Sequence, residues 1–93
     1  MKPVTIYTKT YCGYSKRAKQ LLTEKGIDFE DIDVTSDERL EQEMVQRAQG
    51  RTTVPQVFIG DTHVGGYEDL WRLDRNGELD QLRGGAQQDA ASP

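Results

Sequence analysis

The sequence predicts an α/β domain in which a mixed four-stranded sheet carries helices on both faces. Short β-branched or apolar runs alternate with segments whose apolar residues recur at helical spacing. The first run, the helix after it and the second run form a β-α-β unit, which requires two parallel strands joined by a right-handed crossover. Gly60-Asp61 separates two later strands and predicts a hairpin, which adds antiparallel neighbours to the sheet.

The first half of the chain supplies two strands and a helix. Residues 3–8 are rich in β-branched and aromatic residues and begin with proline, which a strand tolerates at its first position. Residues 14–25 predict a helix ending at Gly26, because their apolar residues are spaced at i, i+4, i+7 and i+8. Residues 27–34 predict a second strand, which its acidic residues leave at most half buried.

The second half supplies the hairpin and the remaining helices. The predicted elements are a helix from Ser36 to Gly50, strands over 56–59 and 63–65, a helix over 68–75 and a short helix around Leu79 and Leu82. Ser36 is the predicted N-cap of its helix, because acidic residues follow it in the first turn. Leu40, Met44 and Ala48 form the apolar stripe of that helix.

The composition excludes several classes of function. Ninety-three residues, 34% of them apolar, are enough for one small domain. A net charge of −4 argues against binding to nucleic acid or to an anionic membrane, since either needs a basic face. No apolar run approaches the roughly 20 residues of a membrane span, and the first residues do not resemble a signal peptide. We therefore expect a cytoplasmic protein whose residues 1–83 form the domain and whose residues 84–93 form a flexible tail.

The chain contains one cysteine, Cys12, so it can form neither an internal disulfide nor a thiolate zinc site by itself. Cys12 lies where the first strand ends and the first helix begins. Free backbone N–H groups and the helix dipole stabilise a thiolate there, and Lys9, Lys16 and Arg17 add positive charge. The alternative is a buried structural cysteine, but neighbours such as Gly13 do not form a core segment. These features predict a reactive thiol with a lowered pKa.

Three segments of the sequence resemble the glutaredoxin family. They are residues 7–15 (YTKTYCGYS), residues 53–59 (TVPQVFI) and residues 65–70 (GGYEDL). Together they have the family's order and spacing, and the resemblance covers about residues 2–83. It implies a thioredoxin fold and glutathione-dependent thiol–disulfide exchange on glutathionylated or disulfide-containing proteins.

The resemblance also implies a glutathione site. Cys12 would be the nucleophile, Lys9 would bind the glycine carboxylate of glutathione, and Tyr14 would flank the bound tripeptide. A cis peptide before Pro55 would turn the backbone of Val54 toward Cys12. The full implied site is Lys9, Cys12, Tyr14, Arg51, Thr53, Val54, Pro55, Gly66, Tyr67, Glu68 and Asp69.

The second half of the implied site lies where a helix begins. Gly66 lets the backbone approach a ligand closely, and N–H groups at Tyr67 and Glu68 would bind the γ-glutamyl carboxylate. An acidic side chain at Glu68 or Asp69 would lie near the ammonium group, and Arg51 would add a contact to a ligand carboxylate.

Each of these assignments has an ordinary structural alternative. Lys9 can be a solvated lysine, Tyr14 can pack on Ala18 at helical spacing, and the segment before Pro55 can be a plain loop. The acidic residues at 68–69 can serve only to stabilise the start of a helix.

Three other conspicuous side chains are predicted to be structural. His63 lies in or just after the hairpin turn, far in sequence from Cys12, and no catalytic role is predicted for it. Trp71 and Met44 are predicted to pack on helix faces.

Ser15 stands where dithiol members of the family have a second cysteine. A serine cannot resolve a disulfide between Cys12 and glutathione, so the sequence predicts a monothiol route with a second glutathione as reductant. Only Thr10-Tyr11 separates Lys9 from Cys12, and this spacing resembles the dithiol class. Two explanations therefore stay open: the serine is natural, or it is a Cys→Ser substitution made to trap the glutathione adduct.

A second function is compatible with the single cysteine. Some glutaredoxins form a dimer around a [2Fe–2S] cluster, held by one active-site cysteine of each chain and by two glutathione molecules. The small Gly13 beside Cys12 resembles the members that permit such a cluster. Cys12 would then be an iron ligand in an iron–sulfur carrier or sensor, whereas without the cluster the chain is expected to be a monomer.

Overall fold

The computed structural model describes residues 1–84, which contain four strands and four helices. They are β1 (Val4–Thr8), α1 (Gly13–Glu24), β2 (Glu30–Asp33), α2 (Glu38–Arg47), β3 (Gln56–Ile59), β4 (Thr62–Gly65), α3 (Tyr67–Arg75) and α4 (Glu78–Arg83). The tail predicted over 84–93 lies, from residue 85 onward, outside the described residues.

The four strands form one mixed sheet in the order β2-β1-β3-β4. β1 pairs in parallel with β2 and antiparallel with β3, and β3 pairs antiparallel with β4. At the centre of the sheet, Ile6 lies opposite Asp31 of β2 and Val57 of β3. The predicted β-α-β unit and hairpin are therefore both confirmed.

The first face of the sheet is covered by α1, α3 and α4. Ala18 and Leu22 of α1 and Leu70 of α3 are fully buried against the apolar side chains of β1 and β3, such as Ile6 and Ile59. The contact of α1 with α3 on this face brings the N-terminal ends of the two helices close together. These ends carry most of the side chains that the sequence assigns to the site.

The second face is covered by α2, so helices lie on both faces as predicted. Met44 is fully buried against Tyr7 and Phe58. The buried Tyr7 hydroxyl donates to Glu43 at 2.6 Å and accepts from Arg47 at 2.8 Å, which satisfies its hydrogen-bonding capacity on that face.

Two local predictions need correction. The second strand begins at Glu30 rather than at residue 27, because only Glu30–Asp33 pair with β1, while Ile27 is buried ahead of the ladder. The N-cap of α2 is Asp37 rather than Ser36, since the Asp37 carboxylate accepts the Leu40 N–H at 3.0 Å. Trp71 is 43% exposed, and its ring packs with Arg75 of the same helix, whose guanidinium lies 4.9 Å from the ring centroid.

Within residues 1–84, no helix combines the length and the apolar character that crossing a bilayer requires.

Two adjacent leucines of α1 provide a matched test of this packing. Leu22→Ala is expected to lower the free energy of unfolding by about 3 kcal/mol, because it leaves a cavity in the core. Leu21 lies at the border of the same core, and Leu21→Ala is expected to cost about 1 kcal/mol. Denaturant unfolding of both variants measures the difference, and equal costs would contradict the assignment of the buried face of α1.

Candidate active site

Cys12 is the N-cap of α1. After β1 ends, Lys9 and Cys12 form a tight turn in which the Cys12 N–H donates to the Lys9 carbonyl at 3.3 Å. Cys12 has extended backbone angles, φ −98° and ψ 117°, and its Sγ accepts the Ser15 N–H at 3.4 Å. The half-buried thiol therefore occupies the position of an ordinary capping oxygen at a helix N-terminus.

The surroundings of Cys12 favour its thiolate. Burial raises the pKa of the thiol, but hydrogen bonds from the Ser15 side chain, the Ser15 backbone and the Tyr14 backbone lower it, as does the charge of Lys9. The net effect holds the pKa of Cys12 below its ordinary value. The predicted lowering of this pKa is confirmed in direction, with the helix N-terminus and Lys9 among its causes.

Ser15 lies beneath the thiol and is completely buried. Its hydroxyl oxygen accepts the Lys9 N–H at 3.5 Å, which ties the first turn of α1 to the end of β1. Because Cys12 is the only cysteine of the chain, no other thiol of the same molecule can attack a disulfide formed on it.

The loop before β3 approaches Cys12 from the opposite side. The Val54–Pro55 peptide bond is cis, as predicted, and the Cys12 thiol donates to the Val54 carbonyl at 3.5 Å. Among the hydrogen bonds within residues 1–84, none uses the Val54 N–H as donor. This loop therefore presents a free backbone donor beside the sulfur.

The start of α3 forms the other half of the site. The Gly66 N–H donates to Asp69 Oδ2 at 2.9 Å, and Arg51 reaches the same oxygen at 3.5 Å. Gly65 has φ +120°, and a Cβ there would collide with the Asp69 carboxylate. Glycine is therefore required at position 65. The Asp69 carboxylate already accepts a hydrogen bond from the backbone at the start of its own helix, whereas the Glu68 side chain is exposed.

Two aromatic rings join the halves of the site. Tyr14 of α1 stacks on Tyr67 of α3 with ring centroids 6.0 Å apart, and the Arg17 guanidinium lies 5.6 Å from the Tyr14 ring centroid. Tyr14 is still 54% exposed, so its ring is accessible beside Cys12. Stacking on Tyr67 is a contact of this ring that the sequence analysis did not predict.

Lys9 points toward α2. Its Nζ forms an ion pair with Glu41 at 3.2 Å, and about a third of each side chain is exposed. A ligand carboxylate at Lys9 must therefore compete with Glu41. The sequence pattern contains no signal for this partner, because Glu41 is 32 residues away and the contact depends on where α2 crosses the sheet.

The site residues predicted from the sequence fall into two connected groups. Ser15 and Val54 both contact the sulfur of Cys12, and Arg51 contacts Asp69 at the start of α3. Gln56, which the sequence analysis did not single out, lies behind the loop and forms a 2.6 Å hydrogen bond with His63, a side chain predicted to be structural. A glutamine inside the otherwise apolar run 54–59 was the available signal.

His63 lies half buried on β4. Burial and the nearby Arg51 guanidinium hold the pKa of its imidazole below the ordinary value, and the Asp69 carboxylate acts in the opposite direction. Together, these effects favour the neutral form of the ring.

In the part of the chain that the structure covers, no three His, Cys, Asp or Glu side chains lie together as a metal site. Further ligands for a metal bound at Cys12 would therefore come from outside the described residues.

A mixed sheet with a nucleophilic cysteine at the first helix N-terminus, and a cis-proline loop against that cysteine, defines a thiol–disulfide oxidoreductase of the thioredoxin fold. The glutaredoxin family model matches residues 4–64, and the chain belongs to this family. It is therefore a glutathione-dependent oxidoreductase, as the resemblance implied.

Individual relatives agree with this assignment. The chain is 52% identical over 82 residues to a glutaredoxin of Pseudomonas aeruginosa, with 88% of this chain and 96% of the relative covered. It is 48% identical to glutaredoxin 3 of Escherichia coli, with 88% and 98% covered. The crystal structure of a buckwheat glutaredoxin–glutathione complex superimposes with a TM-score of 0.79 at 34% identity, covering 89% of this chain and 77% of that one.

The contribution of Ser15 to the acidity of Cys12 is testable. Ser15→Ala removes a hydrogen bond that favours the thiolate, so the pKa of Cys12 is expected to rise. The rate of alkylation by iodoacetamide as a function of pH measures this pKa. Ser36→Ala is the matched control outside the site, and an unchanged pKa in Ser15→Ala would contradict the assigned cause.

Proposed function

We propose that the chain reduces protein–glutathione mixed disulfides by a monothiol mechanism through Cys12. The observation that carries this proposal is a thiol with a lowered pKa at the N-terminus of α1, above a buried Ser15, in a chain with no second cysteine. In the first step the Cys12 thiolate attacks the glutathione sulfur of the substrate. A disulfide forms between Cys12 and glutathione, and the substrate leaves as a thiolate that takes a proton from water.

The second step regenerates the enzyme. The thiolate of a second glutathione attacks the glutathione sulfur bound to Cys12, and oxidised glutathione is released. Cys12 leaves as a thiolate, which the surrounding hydrogen bonds of α1 stabilise, and a low leaving-group pKa makes this step faster. In total, one glutathionylated substrate and one reduced glutathione are converted to one free substrate thiol and one molecule of oxidised glutathione.

The middle of glutathione pairs with the loop before Pro55. The buckwheat relative was solved with glutathione, and on this chain the free N–H of Val54 is the donor beside the sulfur. An extended peptide can pair with such a loop as a short added strand. Thr53 and Pro55 flank this donor in the sequence, and the exposed aromatic ring of Tyr14 is two residues from Cys12.

The γ-glutamyl end binds at the start of α3. The Leu70 N–H donates the first hydrogen bond of the helix, to the Gly66 carbonyl, and the Gly66 N–H donates to the Asp69 carboxylate. The N–H groups of Tyr67 and Glu68, which lie between them, are therefore available for a ligand carboxylate. Because the Asp69 carboxylate is occupied, the exposed Glu68 carboxylate is the partner for the ligand ammonium group.

The glycine carboxylate binds Lys9, and Arg51 is a further cation for a ligand carboxylate. Each cation exchanges an acidic partner of the chain, Glu41 or Asp69, for the ligand. Exposed ion pairs of this kind contribute only about 0–1 kcal/mol, so the exchange costs little.

The reaction suits a monomer in the cytoplasm. A lone thiol that depends on reduced glutathione works where thiols are kept reduced. Glutathionylated or disulfide-containing proteins are the substrates, and substrates that need an internal resolving thiol are reduced poorly.

Cys12→Ser is expected to lower the rate of mixed-disulfide reduction at least about a hundredfold, because it removes the nucleophile. Treatment of the parent chain with oxidised glutathione is expected to add one glutathione to its intact mass, on Cys12 only. Retention of the rate by Cys12→Ser would contradict the mechanism.

Ser15→Cys tests the monothiol route. It places a second thiol next to Cys12, so less glutathione adduct should accumulate and reduction of protein disulfides should rise. The double variant Cys12→Ser/Ser15→Cys is the matched control, since it keeps one thiol but buries it beneath the helix. A double variant as active as the parent chain would show that the position of the thiol is unimportant.

A [2Fe–2S] carrier is the second candidate, favoured by the open space around Gly13, where a Cβ would meet no atom within 4 Å. One protein thiolate per chain fits a cluster shared by two chains and two glutathione molecules, and Cys12 is the residue that would hold it. The cluster would supply electron-transfer or iron–sulfur delivery chemistry.

Anaerobic incubation with iron, sulfide and glutathione tests the carrier. Visible absorbance together with a dimer in size-exclusion chromatography is expected, and both should be lost in Cys12→Ser. Gly13→Pro is the matched variant, because α1 begins at residue 13 and proline is accepted at a first helical position. Gly13→Pro is expected to keep Cys12 reactive but to prevent formation of the cluster. Absence of visible absorbance in the parent chain would exclude the carrier function.

A further inference from the structure

A chain of three polar side chains lies behind the loop that precedes Pro55. Gln56 is completely buried, and its Nε2 donates to the Thr53 carbonyl at 3.0 Å and to the Thr53 hydroxyl at 3.2 Å. Its Oε1 lies 2.6 Å from Nε2 of His63. The reaction steps described above use neither Gln56 nor His63.

The direction of each hydrogen bond in this chain is determined. A carbonyl can only accept, so the amide nitrogen of Gln56 must face Thr53 and its oxygen must face His63. His63 therefore carries a proton on Nε2 and donates it. The imidazole is held in place by stacking on Phe58, with ring centroids 4.9 Å apart and 27° between the planes.

The tethered carbonyl determines where the next N–H points. The Thr53–Val54 peptide is trans, since Val54–Pro55 is the one cis bond in the described chain. In a trans peptide the C=O and N–H groups point in opposite directions. When Gln56 holds the Thr53 carbonyl toward the interior, the Val54 N–H is directed away from it, where it has no partner within residues 1–84.

We propose that Gln56, held by His63, is a positioning residue that orients the Val54 N–H for pairing with the glutathione part of the substrate. This inference rests on the proposed function, because it assigns a role within that glutathione site. The buried Gln56 amide acts indirectly: it contacts the loop, and the loop contacts the ligand.

Gln56→Met tests the role, because methionine has a similar length but no amide. The KM for a glutathionylated peptide is expected to rise about three- to tenfold, the value of one misplaced hydrogen bond, while kcat changes little. The rate of Cys12 alkylation by iodoacetamide should stay near the parent value, since Gln56 touches none of the groups that lower the pKa of Cys12. The ¹⁵N order parameter of the Val54 amide should fall, and this readout needs no glutathione.

Substitutions at His63 separate the donor from the ring. His63→Phe keeps the stacking on Phe58 but removes the donor, so it should raise KM as Gln56→Met does. His63→Gln restores an N–H donor at a similar distance and should recover most of the parent KM. Thr62→Val, at an exposed neighbouring position on β4, is the matched control and should leave KM unchanged. If Gln56→Met does not fold, the half-buried His63 variants decide the question.

The outcomes distinguish this inference from the proposed function. Parent activity that does not depend on glutathione would refute the proposed function, whatever the variants do. A glutathione-dependent parent with Gln56→Met and His63→Phe both within about twofold of its KM would overturn the positioning role alone. A rise in KM that is accompanied by slower Cys12 alkylation would also overturn it, because the effect would then be a general loosening of the site.

Discussion

The hydrogen bond from the Ser15 N–H to the sulfur of Cys12 is the interaction on which the site depends. At most helix N-termini an uncharged or carboxylate oxygen accepts this bond. Here a sulfur accepts it, and sulfur is a good acceptor only when it is ionised. The start of α1 and the ionisation of Cys12 therefore stabilise each other. Any adduct on the sulfur removes its charge, so this hydrogen bond favours the free thiolate over an adduct.

The positions of the site residues could be predicted from the sequence better than their contacts. Cys12 could be placed at the end of a strand and the start of a helix because both patterns are local, and the order of strands followed from the β-α-β unit and the hairpin. The contacts of Lys9 with Glu41 and of Arg51 with Asp69 could not be predicted, because they depend on how far apart two helices and a loop lie after packing. The N-cap of α2 was placed one residue early, since Ser36 and Asp37 are both good caps and only the backbone angles decide between them.

The two cationic side chains of the site, Lys9 and Arg51, each form an ion pair within the protein. Lys9 is held by Glu41 and Arg51 by Asp69, both in partly exposed positions. Such pairs restrict each side chain to the neighbourhood of the site but are weak enough to exchange. In the proposed mode of binding, these pairs keep the local charge low until a ligand carboxylate replaces Glu41 or Asp69. Recognition then depends on geometry as well as on charge.

The position of β2 has a consequence for the behaviour of the molecule in a crowded solution. β2 lies at an edge of the sheet, and three of its four residues are acidic: Glu30, Asp31 and Asp33. An exposed edge strand offers unpaired backbone groups to any other sheet, and charged side chains are the usual protection against such pairing. Two copies approaching through this edge meet with like charges. The acidic edge strand thus disfavours aggregation of the protein through its own sheet.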